Sequence, residues 1–313
     1  MKLYKILPLL AVIVCSCKNK EVKQVDFELS KQVEAVTLMG DSIYSPELEE
    51  NQAFKNYQAA KKAYESNPQN IDSIIWFGRR TAYLGYFKDA ISIYSKGIEL
   101  HPTEPQLYRH RGHRYISTRQ YDKAIADFEK AVTLIEGKQD NVEPDGLPNS
   151  RNIPLSTLHG NIWYHLGLAY YLKGDIKNAL KAYNNRSITE KYPDNLVSGG
   201  YWQYMINRRL GNEEAANTAI ENITSDMDII ENMSYHTMCL LFKGTINKDS
   251  LNTDLIGTSS SDVLSYGLGN WYLFEKQDTL KAKENYKRLL ENGNKFSFAY
   301  LAAESDWKRL LEK

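Results

Sequence analysis

From residue 71 onward, apolar positions recur at the spacing of amphipathic helices, and the helices come in pairs. In each pair the first member holds a small residue amid aromatics. The second reads AISIYSKGIEL over 90–100 or AIADFEKAVTL over 124–134, after a break near a turn. Gly78 and Gly112 are 34 residues apart, as are Ala90 and Ala124, Ile91 and Ile125, Tyr94 and Phe128, and Pro68 and Pro102. A fixed period of this length predicts stacked helix pairs, each burying its apolar face against its neighbours.

The period first breaks after the second unit. From Gly112 to Gly167 is 55 residues, one period plus 21. The surplus falls on 137–157, GKQDNVEPDGLPNSRNIPLST, where three prolines and clustered Gly, Asn and Asp predict an irregular insertion. A third unit follows with Trp163, Leu166, Gly167, Tyr170, Gly174, Ala179 and Tyr183. A fourth repeats its turn and small residues 37 positions on, at Gly211 and Ala216. Residues 229–260 predict a degenerate unit interrupted by GTINKDS. The pattern returns over 263–293 with Leu268, Gly269, Tyr272, Ala282 and Tyr286. A solitary helix over 297–312 is expected to cap the array, and one started by Ser45 and Pro46 to cap its other end.

These residues resemble the tetratricopeptide repeat, whose signature has a large residue at repeat position 4, Leu-Gly at 7 and 8, Tyr at 11, Ala at 20, an aromatic at 24, Ala at 27 and Pro at 32. The likeness covers about 48–312. It implies an all-α, right-handed superhelical solenoid whose concave face, lined by the first helix of each unit, holds a peptide or partner helix. It also implies a scaffold or adaptor rather than an enzyme.

That register gives a meaning to YRHRGHRY, residues 108–115. Tyr108, Arg111 and Tyr115 fall at positions facing the neighbouring helix, and Gly112 permits close approach. Arg111 stands where the other units carry Phe77 and Leu166. Its facing position is Asp127 where they carry Ile93 and Ala182, so an internal ion pair is expected. In the family, positions 5, 6 and 9 point into the groove. This places Arg109, His110 and His113 there, beside Trp76 and Arg79 of the first unit and Asn161, Tyr164 and His165 of the third. The expected surface is basic and aromatic, suited to an acidic or C-terminal peptide whose affinity rises as the histidines protonate near pH 6.5. A solvated basic face without a ligand is the alternative.

The remaining chemistry narrows the function. Thirty-nine basic and 39 acidic side chains cancel, so no overall field favours nucleic acid. His110 and His113, with His165, are the nearest approach to a metal set. No H-E-x-x-H or C-x-x-C occurs and the flanking arginines oppose a cation, so no metal or other cofactor is expected. G-x-S-x-G and phosphate-cradling glycine loops are likewise missing, and no enzyme is expected.

The N-terminus, MKLYKILPLLAVIVCSC, has two early lysines and an apolar core too short to span a membrane, and it predicts a secretion signal. It resembles a bacterial lipoprotein signal over 1–16, with Cys17 acylated and 17–47 a flexible tether; an ordinary cleaved signal is the alternative. Lys18 then points to the outer membrane of a Gram-negative host. Cys239 is left as the only cysteine of the mature chain, buried inside MCLLF. Two functions follow as expectations: a membrane-anchored adaptor of the cell envelope binding a protein or peptide in the groove, or a ligand-capturing lipoprotein serving a transporter. An open groove beside the insertion favours the first. A closed cavity lined by Trp163, Tyr164 and Tyr171 favours the second.

Overall fold

The structure is a computed structural model that describes residues 28–144, 146–187, 192–251 and 257–311. The signal 1–16, Cys17 and the last residue of the expected capping helix lie outside the described residues. Thirteen α-helices occur among those described: α1 (Gln52–Ser66), α2 (Ile71–Tyr83), α3 (Phe87–Leu100), α4 (Pro105–Ser117), α5 (Tyr121–Ile135), α6 (Leu158–Lys173), α7 (Ile176–Ser187), α8 (Pro193–Arg209), α9 (Glu213–Ile220), α10 (Met233–Phe242), α11 (Ser259–Phe274), α12 (Thr279–Asn292) and α13 (Phe298–Leu311). They pack in consecutive pairs, α2 with α3, α4 with α5, α6 with α7, α8 with α9 and α11 with α12. The fold is an all-α solenoid of the tetratricopeptide type.

Local sequence starts and stops these helices. Asn70 Oδ1 accepts from the backbone N–H of Ser73 at 2.8 Å, and Thr157 Oγ1 from that of Gly160 at 3.1 Å, each satisfying one of the donors a helix start leaves open. Gly174, with φ of 95°, ends α6 in the left-handed conformation that glycine adopts without strain. Within a pair, glycine sets the helix spacing. A Cβ on Gly112 would lie 2.9 Å from the Phe128 ring, and one on Gly269 would overlap that of Tyr286. The ion pair expected inside the second unit is present. Arg111 donates to Asp127 twice, Nε at 2.8 Å and Nη2 at 2.7 Å, and once to Ser95 Oγ at 3.0 Å. Cys239 is buried, and burial pushes its thiol pKa up.

Three expectations are corrected. Residues 28–47, assigned to a flexible tether, instead carry an antiparallel hairpin of β1 (Val33–Val36) and β2 (Ser42–Tyr44). In β2 alternation buries Ile43 between exposed Ser42 and Tyr44, and in β1 a register irregularity between Val33 and Ala35 leaves Glu34 and Ala35 both buried before exposed Val36. The buried Glu34 carboxylate accepts from the Lys88 N–H at 2.8 Å and docks the hairpin on the start of α3. Second, Ser45 and Pro46 do not begin α1, which is capped by Asn51. Ser45 Oγ accepts from the Gln32 N–H and Pro46 O from the Tyr86 hydroxyl, both at 3.0 Å, so both belong to the hairpin's base.

Third, α13 is more than an end cap. It packs on α11 and α12 as a cap would, but also lies against α6 on the first-helix face. Residues Ala299 to Asp306 are all buried, where a terminal cap would show a polar outer side. Among the described residues of the degenerate unit, α10 is ended by Lys243 and Gly244 at the start of GTINKDS, and a short 3-10 turn follows at Lys248–Ser250. The insertion 137–157 is irregular, with one isolated β-bridge between Val142 and Thr157.

Candidate functional site

The first-helix face is built from α2, α4, α6, α8 and α11. Spacings of three and four along α4 and α6 bring Arg109, His110 and His113, and Asn161, Tyr164 and His165, onto one side. The structure divides the expected groove residues into two clusters, and neither is open as a basic groove.

The first cluster closes around the insertion. Glu143, 4% exposed, projects from the loop onto α4 and α6. Its Oε2 lies 3.1 Å from Arg109 Nη2 and accepts from Asn161 Nδ2, and its Oε1 lies 3.1 Å from His110 Nε2. The tautomer follows from the partners. A guanidinium only donates, so His110 Nδ1 accepts from Arg109 Nη1 at 2.9 Å and the proton sits on Nε2, facing the carboxylate. Burial and the Arg109 charge push His110 down to about 3. Burial alone would raise Glu143, but Arg109 and the bonds from His110 and Asn161 hold its carboxyl well below the usual range. Arg79 reaches the same loop by donating from Nη1 to Pro144 O at 2.9 Å, with its guanidinium 4.5 Å above the Trp76 ring. Arg80 donates to Gly146 O at 3.0 Å. A Cβ at Gly146 would overlap the Tyr83 hydroxyl, so the loop backbone is pressed onto α2.

The second cluster closes around the start of α13. The His113 and His165 rings are 4.5 Å apart, and Phe298 stands 5.3 Å from the first and 5.5 Å from the second. His165 donates from Nδ1 to the Asn161 carbonyl at 2.6 Å. Burial, the Arg114 charge and His165 hold His113 far below its ordinary pKa; burial and the Arg109 charge do the same to His165. Both rings are neutral, and this corrects the expected histidine titration near pH 6.5. A loop carboxylate and a helix have filled the surface that protons were expected to charge. Among the described residues no three His, Cys, Asp or Glu side chains are placed to hold a metal ion.

What stays accessible is a cleft beside this second cluster. One part, about 320 Å³, lies between the end of the insertion, α6, α8 and the start of α10, and is lined by Asn161, Tyr164, His165, Arg186, Tyr235 and Phe298 among others. A second part, about 330 Å³, shares Asn232, Tyr235 and Phe298 and extends to Ser234, Ser260 and His113. Tyr164 is held in place, its hydroxyl accepting from Trp202 Nε1 at 2.9 Å. Asn195 and Asn232 are positioned by bonds to Leu155 O and Asp194 O. The closed cavity of Trp163, Tyr164 and Tyr171 does not form. Tyr171 is fully buried, its hydroxyl receiving Arg209 Nε at 2.7 Å.

Sequence reasoning missed Glu143, Phe298, Arg186, Asn195, Asn232 and Tyr235. A signal existed for the first: Glu143 is one of three acidic residues in an insertion that adjoins a predicted basic groove. Arg186 also left one, standing at repeat position 27 of the third unit where the signature has Ala; the others come from weaker units or the terminal helix, where the register is poor.

The tetratricopeptide repeat family model matches residues 105–137 and 160–185. No curated protein matches the chain. Similar solved structures include YrrB, a TPR protein described as having an unusual peptide-binding site. It is 18% identical, with 80% of this chain and 98% of that one covered and a TM-score of 0.43. A tetratricopeptide repeat protein from Parabacteroides merdae is 17% identical, with 81% and 92% covered and a TM-score of 0.49. MamA is 17% identical, with 64% and 100% covered and a TM-score of 0.42.

Proposed function

We propose that the protein is a non-catalytic scaffold of the cell envelope, exported and lipid-anchored at Cys17, that binds a protein or peptide partner in the cleft between α6, α8, α10 and α13. The observation that carries the binding role is the cleft itself, the accessible part of a first-helix face otherwise covered by the insertion and α13. Its walls alternate aromatic faces with amides and hydroxyls. Asn161, Asn195 and Asn232 offer both donors and acceptors to a peptide backbone, and Tyr235 and Phe298 offer apolar contact. The anchoring role rests on MKLYKILPLLAVIVCSC, and Lys18 favours the outer membrane of a Gram-negative host. Among the described residues no helix is long and apolar enough to cross a membrane.

A photo-crosslinking amino acid at Ser234, in the cleft, is compared in intact cells with one at Lys287, exposed on α12. A species captured at Ser234 and not at Lys287 is the expected result, and equal yields at both would place partner binding elsewhere. The anchor is tested separately: Cys17→Ser abolishes incorporation of labelled fatty acid and releases the protein from membranes, whereas unchanged labelling contradicts acylation at Cys17.

A further inference from the structure

The insertion 137–157 is fixed to the repeats in an uneven way. Its ends are tied into α6: Asn141 O accepts from the Leu158 N–H and Asp140 Oδ1 from that of His159, and Leu155 is buried. Toward its middle the backbone support ends at the Val142–Thr157 bridge, where the Glu143 N–H donates to Ser156 O at 2.9 Å. Val142, Leu147 and Ile153 are 52%, 72% and 39% exposed, so the loop contributes little apolar surface to any core. The deep contact of that middle is one carboxylate, Glu143, flanked by two backbone carbonyls given to Arg79 and Arg80.

A guanidinium, a neutral imidazole with its proton directed outward, and a side-chain amide converge on Glu143 from two different repeats. The pair is largely desolvated, with side-chain exposures of 11% for Arg109 and 4% for Glu143. Withdrawing the carboxylate alone would leave Arg109 buried without a counter-charge, which is unfavourable. Exchanging it for another carboxylate would not, because each donor keeps a partner. The loop thus shows what this surface accepts: an acidic side chain on extended backbone whose following carbonyls meet Arg79 and Arg80.

We propose that Arg79, Arg109, His110 and Asn161 form a second binding site, for an acidic segment of a protein partner, and that the insertion is its built-in competitor, bound through Glu143 until such a segment displaces it. The site adjoins the cleft of the proposed function at Asn161, whose side-chain amide donates to Glu143, while Arg79, Arg109 and His110 lie outside the cleft lining. A tethered loop competes at an effective concentration in the millimolar range, so free carboxylates do not open the site. A segment that also satisfies the two arginines does.

The probe is a labelled synthetic peptide with the sequence of residues 139–149, QDNVEPDGLPN, and the full chain is titrated by fluorescence anisotropy. Glu143→Ala vacates the pocket and is expected to bind the peptide at least tenfold more tightly than the unaltered chain. A peptide with glutamine in place of its glutamate is expected to bind that variant at least tenfold more weakly, and Arg109→Ala in the same background to abolish binding. Equal affinity of the variant and the unaltered chain, or of the two peptides, overturns the proposal. Circular dichroism checks the fold of each variant. If Glu143→Ala does not fold, Glu143→Gln, which keeps the shape and a hydrogen-bonding group, is titrated with the same two decisive comparisons.

Discussion

Over α2 and α4 the first-helix face is covered by a polar loop holding one buried carboxylate; from α4 to α11 it is covered by α13, a largely apolar helix. The two covers differ in what removing them would expose. Under the loop are charged and hydrogen-bonding groups that another polar chain could satisfy. Under α13 lie core residues, and the helix adds its own: Ala299, Tyr300, Leu301, Ala302 and Ala303 are each 3% exposed or less. At about 25 cal/mol per Å² of apolar surface, that cover belongs to the folded core and is not exchangeable. The same geometrical position on one repeat array thus serves as a displaceable contact at one end and as structure at the other.

The sharpest way to break this contrast is at Asp306. It is 2% exposed, accepts from the Tyr266 hydroxyl at 2.7 Å and pairs with Arg209 of α8 and Arg309 of α13. Asp306→Ala leaves Arg209 without its counter-charge in the core, and a loss of about 3–5 kcal/mol in urea unfolding is expected. A loss no larger than that of a surface substitution would mean that α13 is only loosely applied.

Acidification comes next. His110, His113 and His165 are held neutral, with folded pKa values below the unfolded 6.5. Stability is therefore complete above pH 6.5. It declines as pH falls below it, by up to about 1.4 kcal/mol per pH unit for each histidine, because the unfolded chain takes up the protons first. Glu143 adds to this decline only below about pH 4.5, since its folded value is depressed from 4.5. Unfolding midpoints at pH 7.5, 6.5 and 5.5 check the slope, and His110→Gln with His165→Gln should flatten it.

The Arg111–Asp127 pair is smaller in effect. With side-chain exposures of 18% and 8% it is not wholly desolvated, so removing either charge should cost about 2–3 kcal/mol. Arg111→Leu with Asp127→Ile, which resembles the neighbouring units, should cost less than the two single losses combined. Strict additivity in the double-mutant cycle would contradict the contact. Smallest of all is Arg151–Asp228, an exposed pair between the insertion and the segment before α10. Arg151→Ala should leave the unfolding midpoint unchanged, and a clear shift would show that the loop is held by more than Glu143 and the arginines.

How much of this was legible in sequence follows from which contacts are local. Gly112 with Phe128, Gly167 with Tyr183 and Arg111 with Asp127 lie about half a period apart within one unit, and a 34-residue repeat exposes such pairs directly. Arg109 with Glu143 joins a repeat to an insertion that has no register, and Arg119 with Glu304 spans 185 residues. Neither leaves a periodic trace. The repeat register places Arg109, His110, His113, Asn161, Tyr164 and His165 along α4 and α6, but it carries no trace of the loop and helix that cover them. The hairpin at 33–44 was overlooked for a related reason. Its four-residue and three-residue strands are too short for alternation to stand out, and its docking group, Glu34, is a buried charge that reads in sequence as a solvated one.

The first-helix face is filled by the chain itself, most firmly by α13. Amide hydrogen exchange on the full chain tests it most directly, by comparing the segment Ala299–Asp306 with Leu166–Leu172 of α6, against which α13 lies. Comparable protection is expected in the two segments, with the middle of the insertion exchanging orders of magnitude faster than either. Rapid exchange throughout 299–306, as in a fraying terminal cap, would contradict it and return this face to an open groove.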